Sequence, residues 1–383
     1  MQTVKLGVIG CGNISGIYFK NLRNTPGVEV VACADLDEQR ARASAEAHGV
    51  GRACSVEALL ADPGIQLVVN LTVPAAHAAV NLRALQAGKH AYCEKPYALS
   101  TAEAGPVLQA AQERDMRTGG APDTFMGGGH QTCRKLLDDG WIGGPVSATA
   151  FMMCHGHESW HPNPEFYYQR GGGPMFDMGP YYLTALVNLL GPVRLVSAVT
   201  GKAFDTRMIT SEPKFGTEID VEIPTHIAAV LEFESGAIGT IVMSFDVWAH
   251  HLPSIEIYGT EGSMRVPDPN TFGGAPAVKR AGWTDWREFA PTHGATENSR
   301  GLGVADMAAA IRDGGAFRAS SELAYHVLEI MEACHTAYDQ KRCVQLESRC
   351  ERPAPMPMVC QRDGLNTLGV LTRAARNARK AAK

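Results

Sequence analysis

The stretch that most constrains the fold lies at the start of the chain, Val4-Lys5-Leu6-Gly7-Val8-Ile9-Gly10-Cys11-Gly12-Asn13-Ile14-Ser15-Gly16. An apolar run ends at Gly10, two glycines stand one residue apart, and a helical pattern begins near Asn13. That order suits a tight turn after a buried strand, with a bare backbone and a helix N-terminus aimed at a pyrophosphate. Gly10 fits the turn and Gly12 the close approach. The third small position is Ser15, with Gly16 just after it. Glycines alone are compatible with an ordinary strand–turn–helix connection. The next apolar run, Val28 to Ala34, ends in Asp35, where an acidic side chain accepts hydrogen bonds from an adenosine ribose. Together these features predict a nicotinamide-dinucleotide site. NAD is expected rather than NADP, because Asp35 repels a 2′-phosphate and Arg40 and Arg42 lie further on, in the following helix.

At 383 residues the chain is long enough for two domains, and its net charge of −5 argues against a nucleic-acid or membrane surface. The ten cysteines contain no C-x-x-C pair. Cys33, Cys93 and Cys154 fall in apolar strands, where reduced thiols act as small hydrophobes. The first strand begins at Val4, leaving little room for a leader, and no apolar run approaches membrane-spanning length. The expectation is a soluble, cytoplasmic protein.

Up to residue 123 strands and helices alternate. Helices are expected over Glu38–His48, Val56–Ala61 with Ser55 as N-cap, Ala75–Gln86 and Thr101–Arg114. Strands are expected at Leu67–Thr72 and His90–Cys93. This alternation predicts a doubly wound parallel sheet over 1–123. From 124 to 383 the strand-like runs Val146–Cys154, Val193–Thr200, Ile227–Glu234, Ala237–Val247 and Ser254–Gly259 follow one another with hairpin joints. They predict a second α/β domain with a mainly antiparallel open sheet. Its helices are expected at Gln131–Asp139, Pro180–Leu190 and Glu322–Lys341, with loops over Gly201–Ile223 and Asp268–Ser299. A final basic helix is expected after Pro357.

Two further motifs are specific. Ala87-Gly88-Lys89-His90-Ala91-Tyr92-Cys93-Glu94-Lys95-Pro96 closes a strand, and Gly171-Gly172-Gly173-Pro174-Met175-Phe176-Asp177-Met178-Gly179-Pro180-Tyr181 opens a helix. With the opening turn they resemble the glucose–fructose oxidoreductase / inositol dehydrogenase / MocA family. The likeness returns in Ser321-Glu322-Leu323-Ala324 and the proline-rich segment from Arg352. It implies a Rossmann domain followed by an α/β domain whose open sheet makes a homodimer or homotetramer. It implies NAD contacts at Gly10, Gly12, Asn13, Ile14, Asp35, Thr72, Pro74, His77, Glu94 and Lys95, and a cis Lys95–Pro96 bond. Lys95 is expected between nicotinamide and the substrate hydroxyl. The family's Asp-x-x-x-His signature reads Asp177 to Tyr181 here, so a tyrosine replaces the histidine that relays the proton. Four residues apart, both side chains share a helical face. A phenol titrates near 10 in isolation, and an adjacent Lys95 ammonium is expected to lower that value. Packing of Tyr181 beside Tyr182 is the plain alternative.

Between the two halves stands Cys154-His155-Gly156-His157-Glu158-Ser159-Trp160-His161. Trp160 suits a sugar ring and His155 and His157 its hydroxyls. The same composition suits a metal, but the histidines divide between a strand end and a loop, so no metal is expected. The implied activity is oxidation of a secondary hydroxyl on a sugar, sugar derivative or cyclic polyol by NAD, with Lys95, Asp177 and Tyr181 catalytic. A glycosidase using transient oxidation and a non-catalytic NAD-bound sugar sensor are the alternatives.

Overall fold

The computed structural model describes residues 3–358, so the basic helix expected after Pro357 lies outside the described residues. The first half is built on five strands, β1 (Val4–Ile9), β2 (Val28–Ala34), β3 (Leu67–Asn70), β4 (His90–Cys93) and β5 (Thr118–Gly120). They form an all-parallel sheet in the order β2-β1-β3-β4-β5. All four β3 residues, Leu67, Val68, Val69 and Asn70, are buried, as expected of a strand covered on both faces. Helices α1 (Ser15–Arg23), α2 (Glu38–His48), α3 (Val56–Ala61), α4 (His77–Gln86) and α5 (Thr101–Glu113) alternate with the strands. The Ser55 hydroxyl accepts from Ala58 N–H at 3.1 Å and so caps α3 as its sequence predicts. The order reverses about β1, opening a crevice between β1 and β3 at their carboxyl ends.

The second half begins with α6 (Gly128–Asp138). Its glycines let backbones touch: a Cβ on Gly129 would stand 2.2 Å from the Gly273 carbonyl oxygen. Strands β6 (Pro145–Met153), β7 (Val193–Gly201), β10 (His226–Phe233), β11 (Ile238–Ser244), β12 (Ile255–Gly259), β13 (Gly262–Val266), β14 (Ala277–Arg280), β15 (Arg287–Glu288) and β16 (Val344–Gln345) make one open sheet. Only the β6–β11 pair is parallel. A separate hairpin, β8 (Thr206–Met208) with β9 (Glu218–Asp220), stands where a loop was expected, and β14 and β15 lie in the other expected loop.

Helix α7 (Gly173–Leu190) crosses one face of this sheet, and every residue from Gly179 to Leu190 is buried. It starts seven residues before the expected Pro180, because Pro174 sits in its first turn, where no N–H is needed. The chain then returns to the first half. Helix α8 (Leu302–Asp313) packs on β1, and α9 (Ser321–Gln340) reaches both β5 and β7. Asp123 fixes the return: its buried Oδ2 accepts from Gly301 N–H at 2.9 Å and Gly303 N–H at 3.0 Å. Helix α9, in contact with β5 of one sheet and β7 of the other, ties the two sheets together.

Candidate active site

The crevice is made by the turn after β1. Gly10 has φ of +98°, and a Cβ there would stand 2.5 Å from the Leu71 carbonyl oxygen, so only glycine fits. Around Gly12 a Cβ would meet nothing within 4 Å, leaving the backbone open to a pyrophosphate. Ile14 is the N-cap of α1 and makes no side-chain cap, while Ser15 N–H closes the turn onto the Gly12 carbonyl at 3.0 Å, so the helix N-terminus faces the glycine turn. Asp35 Oδ2 accepts from Cys11 N–H at 2.8 Å, which sets the acid against the glycine turn. Arg40 does not stay away, as expected, but approaches Asp35 Oδ1 at 3.4 Å and Asp37 at 3.5 Å. Its charge is thus shared by two carboxylates. These features fit a dinucleotide with a free ribose 2′-hydroxyl.

Thr72 and Pro74 line the loop after β3, half-buried beside this turn. His77 is fully buried, with Nδ1 2.7 Å from the Pro96 carbonyl and Nε2 3.0 Å from that of Thr72, so it braces two loops of the crevice. Glu94 is held by the Tyr18 hydroxyl at 2.7 Å and by Lys95 N–H at 3.0 Å. The Lys95–Pro96 bond is cis.

Lys95 Nζ donates to Asp177 Oδ1 at 2.8 Å and to its carbonyl at 2.7 Å. His157 Nε2 lies 3.1 Å from the other carboxylate oxygen, Oδ2. A single carboxylate therefore joins a lysine from the first half to a histidine from the second. Burial works against the Asp177 charge, but the Lys95 ammonium and His157 outweigh it and hold the carboxyl down at about 2. Burial likewise opposes the His157 cation, and the Asp177 hydrogen bond overcomes it, lifting the imidazole to about 9. Tyr181, one turn beyond Asp177, lies with its ring centroid 5.3 Å from Lys95 Nζ. Its phenol is not lowered as the neighbouring ammonium led one to expect. Burial raises it by more than Lys95 and Arg300 lower it, so Tyr181 carries its proton at neutral pH.

The 154–168 segment divides its histidines. The His157 ring is packed by Tyr167 at 4.0 Å, Phe245 at 4.6 Å and Trp160 at 5.2 Å between centroids. Trp160 is 62 % exposed and forms a rim. His155 turns elsewhere and stacks on Trp248 at 3.3 Å, while His161 Nδ1 accepts from Asn163 N–H at 3.0 Å. Glu158 is taken by Tyr168 and Arg207. Among the described residues no group of three His, Cys, Asp or Glu side chains is arranged to hold a metal.

Sequence reasoning missed Arg300, Tyr167 and the Arg207 anchor. Arg300 Nη2 lies 3.5 Å from the Tyr181 hydroxyl, so the tyrosine has a cation on either side. No motif marks it, since it follows a stretch read as a loop.

The geometry joins a dinucleotide crevice to a proton-bearing cluster, and comparison with known proteins agrees. Residues 4–119 match the oxidoreductase family with an NAD-binding Rossmann fold, and residues 130–265 match the GFO/IDH/MocA C-terminal domain. The chain is 28% identical over 303 residues to inositol 2-dehydrogenase 3 of Saccharopolyspora erythraea, covering 75% of this chain and 80% of that one. It is 25% identical over 370 residues to D-apiose dehydrogenase of Paraburkholderia graminis, covering 92% and 93%. An NAD-binding oxidoreductase from Klebsiella pneumoniae shares the fold, with a TM-score of 0.78 at 21% identity over 90% of this chain and 98% of that one. With both halves of the molecule matched in this way, the chain belongs to the GFO/IDH/MocA family of NAD-binding oxidoreductases.

Proposed function

We propose that the protein is a cytoplasmic NAD-dependent dehydrogenase that oxidises a secondary hydroxyl of a sugar, sugar derivative or cyclic polyol. The observation that carries this reading is the Lys95–Asp177 pair beside the Tyr181 ring, with Lys95 on the loop after β4. The sugar and polyol dehydrogenases among its relatives support it. NAD, when bound, supplies the acceptor for a hydride. The reacting carbon gives up its hydrogen with two electrons, its hydroxyl gives up a proton, and a carbonyl remains.

The protein's part is positioning and charge. Lys95 Nζ holds the substrate oxygen and stabilises the negative charge that grows on it. Tyr181 Oη, which holds its own proton at neutral pH, relays the substrate's: it releases its proton to solvent as it takes the one from the hydroxyl, with Asp177 fixing Lys95 and His157 around it. Trp160 covers a ring face from the rim. One face of the large sheet carries exposed Val199, Val230 and Ile238 on three neighbouring strands, set diagonally with a two-residue offset from each strand to the next, which supports assembly of a homodimer or homotetramer there.

Two substitutions test the reading. Lys95→Ala should lower kcat/KM by several orders of magnitude while leaving NAD binding near normal, because the pyrophosphate turn is elsewhere. Tyr181→Phe keeps the ring and should lower kcat by roughly 10²- to 10⁴-fold. A Tyr181→Phe enzyme with unchanged kcat would reduce the tyrosine to packing.

A further inference from the structure

Arg300 is held by its backbone and left partly unused at its head. Asn21 Nδ2 donates to the carbonyls of Asn298 at 2.9 Å and Arg300 at 2.8 Å, and Asp123 accepts from the two N–H groups of Gly301 and Gly303. The backbone is thus pinned to the nucleotide-binding half, while the side chain reaches the helix that carries Asp177 and Tyr181. Its Nη2 meets Asn270 Oδ1 at 3.0 Å and Tyr181 Oη at 3.5 Å, and Nη1 meets Asn298 Oδ1 at 2.9 Å. All three partners are neutral oxygens. Two of the five guanidinium N–H groups remain unused, and the Tyr181 contact is at the long limit of a hydrogen bond.

That arrangement differs from those of Arg207, Arg318 and Arg134. Arg207 is paired with Glu158 and Asp246, Arg318 with Asp306, and Arg134 with Asp138. Among the described residues no carboxylate forms an ion pair with Arg300. The carboxylates nearest in charge are committed: Glu94 to Tyr18 and Lys95, and Asp123 to the turn before α8. A half-buried cation in a cleft is costly without an anion. Lys95 and His157 bring two more positive charges to the same cleft, where Asp177 bridges them, and Glu94 and Asp123 act on Arg300 only through space. None of these carboxylates takes the free guanidinium donors of Arg300, and a substrate carboxylate can.

We propose that Arg300 is the specificity residue of this site and that the substrate is a carboxylate-bearing sugar derivative, an aldonic or uronic acid. The inference rests on the dehydrogenase reading above. The carboxylate takes the free guanidinium donors and does not react. A secondary carbinol elsewhere on the same chain loses its hydride to NAD and its hydroxyl proton, relayed by Tyr181, to solvent, and becomes a ketone.

The test uses the full-length protein with NAD and matched pairs, gluconate against glucose and galacturonate against galactose, following NADH. The acids should be oxidised with kcat/KM roughly 10- to 100-fold above their neutral partners, the range of a lost charged hydrogen bond. Arg300→Gln should collapse that ratio, Arg300→Lys should restore part of it, and the Kd for NAD should stay at the wild-type value. Should the variants fold poorly, the wild-type protein with NADH should gain more thermal stability from gluconate than from glucose. Equal or better oxidation of the neutral sugars overturns the proposal and leaves the dehydrogenase reading standing. No NADH from any sugar or acid overturns both. A weaker Kd for NAD in Arg300→Gln with an unchanged acid-to-neutral ratio assigns Arg300 to the cofactor and also overturns it.

Discussion

Asp177 is the residue on which the site turns, because each of its carboxylate oxygens holds a different cation. The two linked shifts give a stability profile with a definite sign. His157, raised to about 9 in the folded protein, contributes stability that is complete below the ordinary imidazole value of 6.5 and is lost as pH rises through 9. Asp177, held at about 2, contributes stability that is complete above the ordinary carboxylate value of 3.8 and is lost as pH falls through 2. The contribution of the pair is therefore greatest between those ordinary values. Thermal melts across pH should decline on the alkaline side, and His157→Asn should flatten that decline. An alkaline limb identical in the two proteins would remove the imidazolium from the account. Asp177, Tyr181 and Lys95 were named through the family resemblance, and the four-residue spacing added only that Asp177 and Tyr181 share a helical face. The link to His157 was not legible, because it joins a loop to a helix and depends on how Tyr167 and Phe245 pack the imidazole.

At the scale of elements, the 154–168 segment is shaped by a guanidinium beneath it. Arg207, on β8, donates to Glu158, to Asp246 and to the carbonyls of His155 and Phe245. Removing it leaves two buried carboxylates unpaired, a loss of about 3–5 kcal/mol. Arg207→Ala should melt well below the wild type. It should also raise KM more than it lowers kcat, because Trp160 and His157 ride on the segment while Lys95 does not. A normal KM in a folded Arg207→Ala protein would show that the segment holds its shape without the anchor. The β8–β9 hairpin was unreadable because its strands are three residues each, too short for their exposed–buried–exposed alternation to register as a period. The start of α7 was hidden for a related reason. Glycines and a proline read as a loop, although proline is at home in a helix's first turn. By contrast β1, β3 and α9 carry long apolar patterns with clear ends, and their bounds agree with expectation to within a residue or two.

For the whole molecule, the alternation of strand and helix before residue 123 and the hairpins after it were enough to foretell two sheets of opposite character. The return of α8 to β1 was not foretold, since a helical pattern does not say which sheet it covers. That return closes the cleft and delivers Arg300 to Tyr181. The outer face of the large sheet stays open, with Val199 65 % and Ile238 52 % exposed, an apolar patch of the kind that marks an interface. Lysine at Val199, Val230 and Ile238 together should shift the sedimentation coefficient of the protein to that of a smaller species, and an unchanged value would move the interface elsewhere. The central claim is net oxidation, and it is tested by incubating the protein with NAD and a panel of free sugars, sugar acids, polyols and glycosides while measuring NADH and substrate together. The account predicts one NADH formed for each substrate molecule oxidised, with no glycosidic bond cleaved. Cleavage of a glycoside with no net NADH would contradict it, because the hydride would then have returned to the sugar within each turnover.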